Sequence, residues 1–126
     1  MDSRHLCRAK RTDNGEWVEG LLTIMWGQLH IINPNDENTA YQIDPQTICQ
    51  CTGLKDKNGK LIWENDIVKV HEDEEPCLIE WGEDTARWNM TQYGSNIYDF
   101  DNYWSYEVEV IGNIFDNPEL LEVEEL

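Results

Sequence analysis

The sequence has few basic residues. Only 9 of its 126 residues are Lys or Arg, against 26 Asp and Glu, which gives a formal net charge of −17. Such a balance repels phosphate, so we expect no direct binding to nucleic acid. It favours solubility and attracts a basic protein partner. A solvated acidic surface without a binding role is the alternative.

The sequence also lacks a long hydrophobic run. No apolar stretch reaches the length of a signal-peptide core or a membrane-spanning helix, so we expect a cytoplasmic protein without a membrane partner. With 40% hydrophobic residues and six tryptophans, the chain is too apolar to be disordered. Its length suits one domain, or a small core with an extension, that buries about two thirds of the unfolded surface.

The sequence also lacks Cys and His residues at the spacing of a metal-binding motif. The four cysteines are Cys7, Cys49, Cys51 and Cys77, and the three histidines are His5, His30 and His71. Cys49 and Cys51 are one residue apart, which suits neither a C-x-x-C redox site nor a zinc knuckle. On a strand, both thiols would face the same side. We expect reduced thiols that serve as small apolar residues, no metal and no cofactor; a metal site assembled only by folding is the alternative.

No catalytic motif is present. The sequence contains no G-x-S-x-G, no glycine-rich phosphate loop and no histidine-rich metal motif. Paired carboxylates can catalyse hydrolysis, but 26 acids produce pairs by chance. Asp56 and Asp66 flank the central strand, and we interpret both as turn residues. We therefore expect no catalytic residues and no enzymatic activity.

The central stretch, residues 52–70 (TGLKDKNGKLIWENDIVKV), has the clearest pattern of turns and strands in the chain. Asn58 and Gly59 form the strongest short hairpin signal and predict a type I′ turn, in which both residues have positive φ. Residues 61–63 follow as a strand, Asn65 and Asp66 predict a second turn, and residues 67–70 resume as a strand.

Short period-two runs fill the rest of the chain. Strands are predicted at residues 7–10, 17–24, 29–32, 41–43, 77–81, 86–90 and 106–110, with a helical turn beginning at Asn117-Pro118. This pattern is typical of an all-β protein, a small barrel or a sandwich. The stretch 52–126 holds enough strands for a small SH3-like β-barrel with an acidic C-terminal tail. Residues 1–51 would form an N-terminal β extension, a hairpin or sheet packed on that barrel.

Several runs resemble the YopX family of phage and prophage proteins. They are residues 15–20 (GEWVEG), 44–47 (DPQT), 52–60 (TGLKDKNGK) and 110–121 (VIGNIFDNPELL). The chain departs from the family pattern at Asn65, where Gly is usual, and Asn also tolerates the left-handed conformation. The resemblance implies an all-β protein with an SH3-like barrel in its C-terminal part, carried by mobile genetic elements. It brings no established activity and no catalytic residues.

Two functional hypotheses follow. The first is a small adaptor or assembly protein that binds a protein partner through its barrel and self-associates as a homo-oligomer. The second is an acidic decoy that mimics DNA and occupies the DNA site of a basic protein. Candidate partner-binding residues are Trp63, Glu72, Asp73, Glu74 and Glu75. For Trp63, a core or barrel-seam aromatic is the alternative to a binding platform.

Overall fold

A computed structural model describes residues 3–33, 35–70, 75–92, 95–101 and 105–121. Within them lie eleven strands: β1 (Cys7–Lys10), β2 (Trp17–Met25), β3 (Gln28–Asn33), β4 (Asp36–Gln42), β5 (Cys49–Lys55), β6 (Leu61–Trp63), β7 (Asp66–Lys69), β8 (Cys77–Gly82), β9 (Arg87–Gln92), β10 (Ser95–Asp99) and β11 (Glu109–Asn113). Short 3-10 turns cover Ser3–His5, Pro45–Thr47 and Pro118–Leu121. The prediction of an all-β protein is confirmed. The chain divides into two compact units, residues 1–51 and 52–126.

In the first unit the strands are antiparallel, in the order β4-β3-β2-β1, and β1 also pairs with the start of β5. The core of this unit is built by Ala9, Ile31 and Ile43, all almost fully buried. Gly20 lies in β2 where a Cβ atom would collide with the carbonyl oxygen of Ile32 in β3. Gly20 therefore marks a close approach of the two backbones.

In the second unit five strands form an antiparallel sheet in the order β10-β9-β8-β7-β11, and β5 neighbours β6. Its hydrophobic core comprises Ile62, Val68, Val70, Cys77, Ile79, Met90, Phe100 and Val108. Among the described strands, no pairing joins the edge strands β10 and β11. The sheet is therefore not closed, and the SH3-like barrel is not confirmed.

The turn between β5 and β6 differs from the predicted type I′ turn. Gly59 has a φ of 82°, but Asn58 does not have a positive φ. The Gly59 N–H donates to the Asp56 carbonyl at 3.0 Å, and the Asp56 N–H donates to the Lys60 carbonyl at 2.8 Å. These bonds close a three-residue loop that ends in a left-handed glycine. The Asp56 carboxylate also accepts the N–H groups of Asn58 and Lys60, which stabilises this longer loop.

The turn at Asn65 follows the sequence prediction. Asn65 has a φ of 69°, in the left-handed region that Asn tolerates. Its N–H donates to the Ile79 carbonyl at 2.8 Å, and its carbonyl accepts the Ile114 N–H at 3.0 Å. The residue that replaces the usual glycine thus keeps the turn and connects β7 to its neighbours.

Two other predictions need correction. The strand predicted at 106–110 begins only at Glu109, because the Val108 carbonyl accepts the N–H of Lys57 at 3.0 Å and Tyr106 lies in a turn. Ala86 lies in the β8–β9 turn with a φ of 52° and not in a strand. His30 is buried, with Nδ1 3.0 Å from the Gln28 carbonyl oxygen.

All four cysteines lie within the described residues, and none forms a disulfide. Cys49 and Cys51 are both buried, whereas the intervening Gln50 is exposed, so the two thiols share the inner face of β5 as predicted. Cys77 is also a core residue. No helix in the described part of the chain has the length and apolar character to cross a membrane.

Candidate interaction surfaces

The candidate partner-binding residues lie in different environments, and some lie outside the described residues. Glu72, Asp73 and Glu74 lie outside the described residues. Glu75 is exposed. Trp63 is only 2% exposed, which supports the alternative of an interior aromatic and removes it from the candidate binding surface.

Glu75 lies at the rim of a shallow groove in the second unit. The lining residues are Glu75, Pro76, Leu78, Glu80, Thr91, Leu120 and Leu121, and we call this set the acidic–apolar groove. The short turn Pro118–Leu121 supplies its two leucines, and the predicted helical turn at Pro118 is thereby confirmed. Within the groove, the Thr91 hydroxyl donates to Glu80 Oε2 at 2.9 Å, which orients that carboxylate.

Apolar and acidic residues both line this groove. Leu78 and Thr91 are each 8% exposed, while Leu120 and Leu121 are half-buried. Glu75 is held by its backbone, because the Gln92 Nε2 donates to the Glu75 carbonyl at 3.0 Å. The groove thus combines apolar surface with the two acidic residues Glu75 and Glu80.

The Asp56 carboxylate accepts three hydrogen bonds from backbone N–H groups. Its Oδ1 accepts the backbone N–H groups of Asn58 and Lys60, each at 2.9 Å, and its Oδ2 accepts that of Val110 at 3.0 Å. Burial raises the pKa of the Asp56 carboxyl, but the bonds from Val110, Lys60 and Asn58 outweigh this effect and leave its pKa below the ordinary value. All three bonds come from backbone N–H groups, so the carboxylate joins the β5–β6 loop to β11.

Asp66 has a similar role. It is 1% exposed, and its Oδ2 accepts the Trp63 N–H at 2.8 Å across the β6–β7 turn. The interpretation of Asp56 and Asp66 as turn residues is therefore confirmed.

The basic residues near the N-terminus lie against aromatic rings. The Arg8 guanidinium carbon is 4.8 Å from the centre of the Trp17 ring, and Lys10 Nζ is 5.4 Å from it. The guanidinium of Arg11 lies 4.3 Å from the Tyr41 ring and pairs with Asp13. Arg8 is also buried to 9% exposure. These contacts place the three cations against aromatic rings of the first unit.

Sequence reasoning missed a second exposed surface. Leu22, Ile24 and Trp26, at the end of the β2–β3 hairpin, are 42%, 70% and 87% exposed. We call these three residues the apolar ridge. The signal was present in the sequence, since residues 20–33 (GLLTIMWGQLHIIN) contain no Asp, Glu, Lys or Arg.

No group of three or more His, Cys, Asp or Glu side chains within the described ranges has a geometry that could hold a metal ion. The expectation that the protein binds no metal stays a prediction.

These features define an all-β protein of two antiparallel sheets with an acidic–apolar groove and an exposed apolar ridge. The YopX protein family matches residues 8–122, nearly the whole chain. The chain therefore belongs to the YopX family, and the resemblance found in its sequence motifs is confirmed.

Among solved structures, the chain is similar to the crystal structure of protein EF1440 from Enterococcus faecalis. The two share 26% sequence identity with a TM-score of 0.55, over 92% of this chain and 96% of that one. No curated protein matches the chain.

Proposed function

We propose that this protein is a small, non-catalytic interaction module encoded by a phage or prophage, and that it binds a protein partner in the acidic–apolar groove. The observation that carries this proposal is the placement of Glu75 and Glu80 beside Leu120 and Leu121 around one depression. A short partner segment with an apolar residue next to Lys or Arg matches these groups. We also propose that the second unit is a variant of the SH3-like barrel, although its sheet is not closed.

Charge supports a basic partner. The net charge of −17 creates a field that accelerates the approach of a positively charged protein. In the sequence, three further acids, Glu72, Asp73 and Glu74, come directly before Glu75. The apolar residues supply the burial that holds the partner after it arrives, because removal of apolar surface from water stabilises the complex.

A pull-down from a lysate of the bacterium that carries the gene tests the proposal. The wild-type chain and two charge-reversal variants, Glu75→Arg and Glu83→Arg, serve as baits at low and high salt. Glu83 is an exposed acid in the β8–β9 turn outside the groove, so its variant is the matched control. Any captured protein is identified, purified and titrated against all three chains.

We expect Glu75→Arg to weaken the purified complex at least about tenfold, or about 1.4 kcal/mol, and Glu83→Arg to change it far less. Leu120→Ser should weaken it without altering its salt dependence. If no protein is captured at either salt concentration, the proposal is wrong. Capture of a DNA-binding protein that both charge reversals weaken equally would favour the acidic decoy, whose charge acts over the whole surface.

A further inference from the structure

We propose that the apolar ridge is a self-association surface, on which a second copy of this chain docks with its own ridge. This inference rests on the proposed role as an interaction module and names one of its partners. It concerns a surface in the first unit that the acidic–apolar groove does not include.

The first argument is the conformation of Trp26. Met25 pairs with Gln28, and the two residues between them, Trp26 and Gly27, have φ values of 52° and 77°. This is the type I′ turn that favours Asn-Gly, and a bulky residue in the left-handed region is strained because its Cβ atom lies too close to the following carbonyl oxygen. The tryptophan therefore makes the hairpin less stable than an asparagine would.

Packing within the chain does not compensate for this cost. The Trp26 side chain is 87% exposed, and its ring meets the His30 ring edge-on with a centroid separation of 6.1 Å. A strained, exposed tryptophan indicates a role outside the isolated fold. Tryptophan is also the residue type most enriched at the energetic centres of protein interfaces.

The second argument is the local absence of charge. Charged residues make up 28% of the chain, yet residues 20–33 contain none apart from the titratable His30. A basic partner finds no countercharge on this hairpin. A second copy can meet it without burying a carboxylate, whereas contact through the acidic surfaces would bury like charges against each other.

The third argument is the spacing of the three side chains. Leu22 and Ile24 are two residues apart on β2 and share a face, and Trp26 follows in the turn. Steps of two residues span about 6.6 Å, so Ile24 lies near the middle of the ridge. A two-fold axis beside Ile24 places Trp26 of one copy against Leu22 of the other, in an isologous contact.

Three side chains cover less than the roughly 800 Å² per partner of a standard interface, so the dimer is weak and forms with rising concentration. Salt should strengthen it, because screening reduces the repulsion between the two acidic chains. Salt should instead weaken the complex between the groove and its basic partner, so the two interactions respond to salt in opposite directions.

Sedimentation equilibrium of the full chain tests the proposal, from about 5 to 500 μM protein, a range in which such weak association is detected. Measurements are made at low salt and at about 0.3 M, where the Debye length is short. The variants are Trp26→Asn, which suits the left-handed turn, and Ile24→Thr, which keeps a β-branched strand residue. Tyr106→Ser is the control, since Tyr106 is 64% exposed but lies outside the ridge.

We expect wild-type and Tyr106→Ser to dimerise equally, more strongly at high salt, and both ridge variants to associate at least about tenfold more weakly. Trp26→Asn should also melt at the same or a higher temperature than wild-type. A wild-type chain that stays monomeric throughout overturns the inference and leaves the groove proposal standing. Dimerisation that survives both ridge substitutions, or a lowered melting temperature of Trp26→Asn, overturns it as well.

Discussion

Replacement of Asp56 tests whether one buried carboxylate connects the β5–β6 loop to β11. Asp56 is 3% exposed and accepts three backbone N–H groups. Asp56→Asn keeps the size of the side chain and one acceptor oxygen, which can still serve the loop. The new amide NH₂ replaces the oxygen that accepts the Val110 N–H, so two donors face each other.

The magnitude follows from these contacts. Hydrogen bonds to a buried charged group contribute about 1.5–3 kcal/mol each, and a neutral amide retains only part of the two loop bonds. We therefore expect Asp56→Asn to lower the free energy of unfolding by about 3 kcal/mol. For a chain of this length, that corresponds to a decrease in Tm of about 10 °C.

The difference in stability between wild-type and Asp56→Asn should be large at neutral pH and small in acid. Because the pKa of folded Asp56 is lowered, its contribution to stability is present above the pKa of the unfolded chain, about 3.9, and is lost as pH falls through the folded pKa. The wild-type and Asp56→Asn curves, measured by urea unfolding, should lie apart at pH 7 and converge below about pH 4.

Asp84→Asn is the matched control, since Asp84 is an exposed acid in the β8–β9 turn. It removes the same formal charge and should change stability little at any pH. If Asp56→Asn is as stable as this control, the backbone bonds of Asp56 do not stabilise the fold and our account of the loop is incorrect.

Four further predictions follow from the chain. Gly59→Val should destabilise by about 1–3 kcal/mol through left-handed strain alone, since a Cβ there meets no neighbour; Gly59→Asn should cost much less, and equal melting temperatures for both would contradict this. The wild-type Tm should rise from low salt to about 0.2 M as carboxylate repulsion is screened; a falling Tm would show that attractive ion pairs dominate. A mobility-shift titration with duplex DNA should show no binding at any salt concentration, and a shift abolished by replacing Arg8, Lys10 and Arg11 would reveal a basic patch. Elemental analysis should find no stoichiometric zinc, and one tightly held zinc per chain would refute the cysteine argument.

The strands and most turns were predictable because their causes are local. Successive side chains of a strand point to opposite faces of the sheet. Alternation of apolar and polar residues therefore predicts a half-buried strand without information from the rest of the chain. Asn65 has a positive φ in the turn predicted for it, because the tolerance for that conformation belongs to the residue itself. The YopX resemblance was also carried by local motifs such as residues 52–60.

The details of the Asn58-Gly59 turn were not predictable in the same way. The two residues favour a type I′ turn, but the Asp56 carboxylate selects a longer loop and reaches Val110, which is 54 positions away in the chain. A pattern in neighbouring residues contains no information about a partner so distant. The same applies to Val108, which was predicted to lie in a strand. Its carbonyl instead accepts the N–H of the distant Lys57, and the strand begins after it.

The sequence by itself determined the all-β class, the charge of −17 and the absence of charge in residues 20–33. Only the tertiary structure decided that Trp63 is buried and Trp26 exposed, although both are tryptophans in or beside short strands. It also brought Glu75 to the same groove as Leu120. The physical reason is that burial depends on which distant elements cover a side chain, whereas strand and turn preferences depend on the residue and its immediate neighbours.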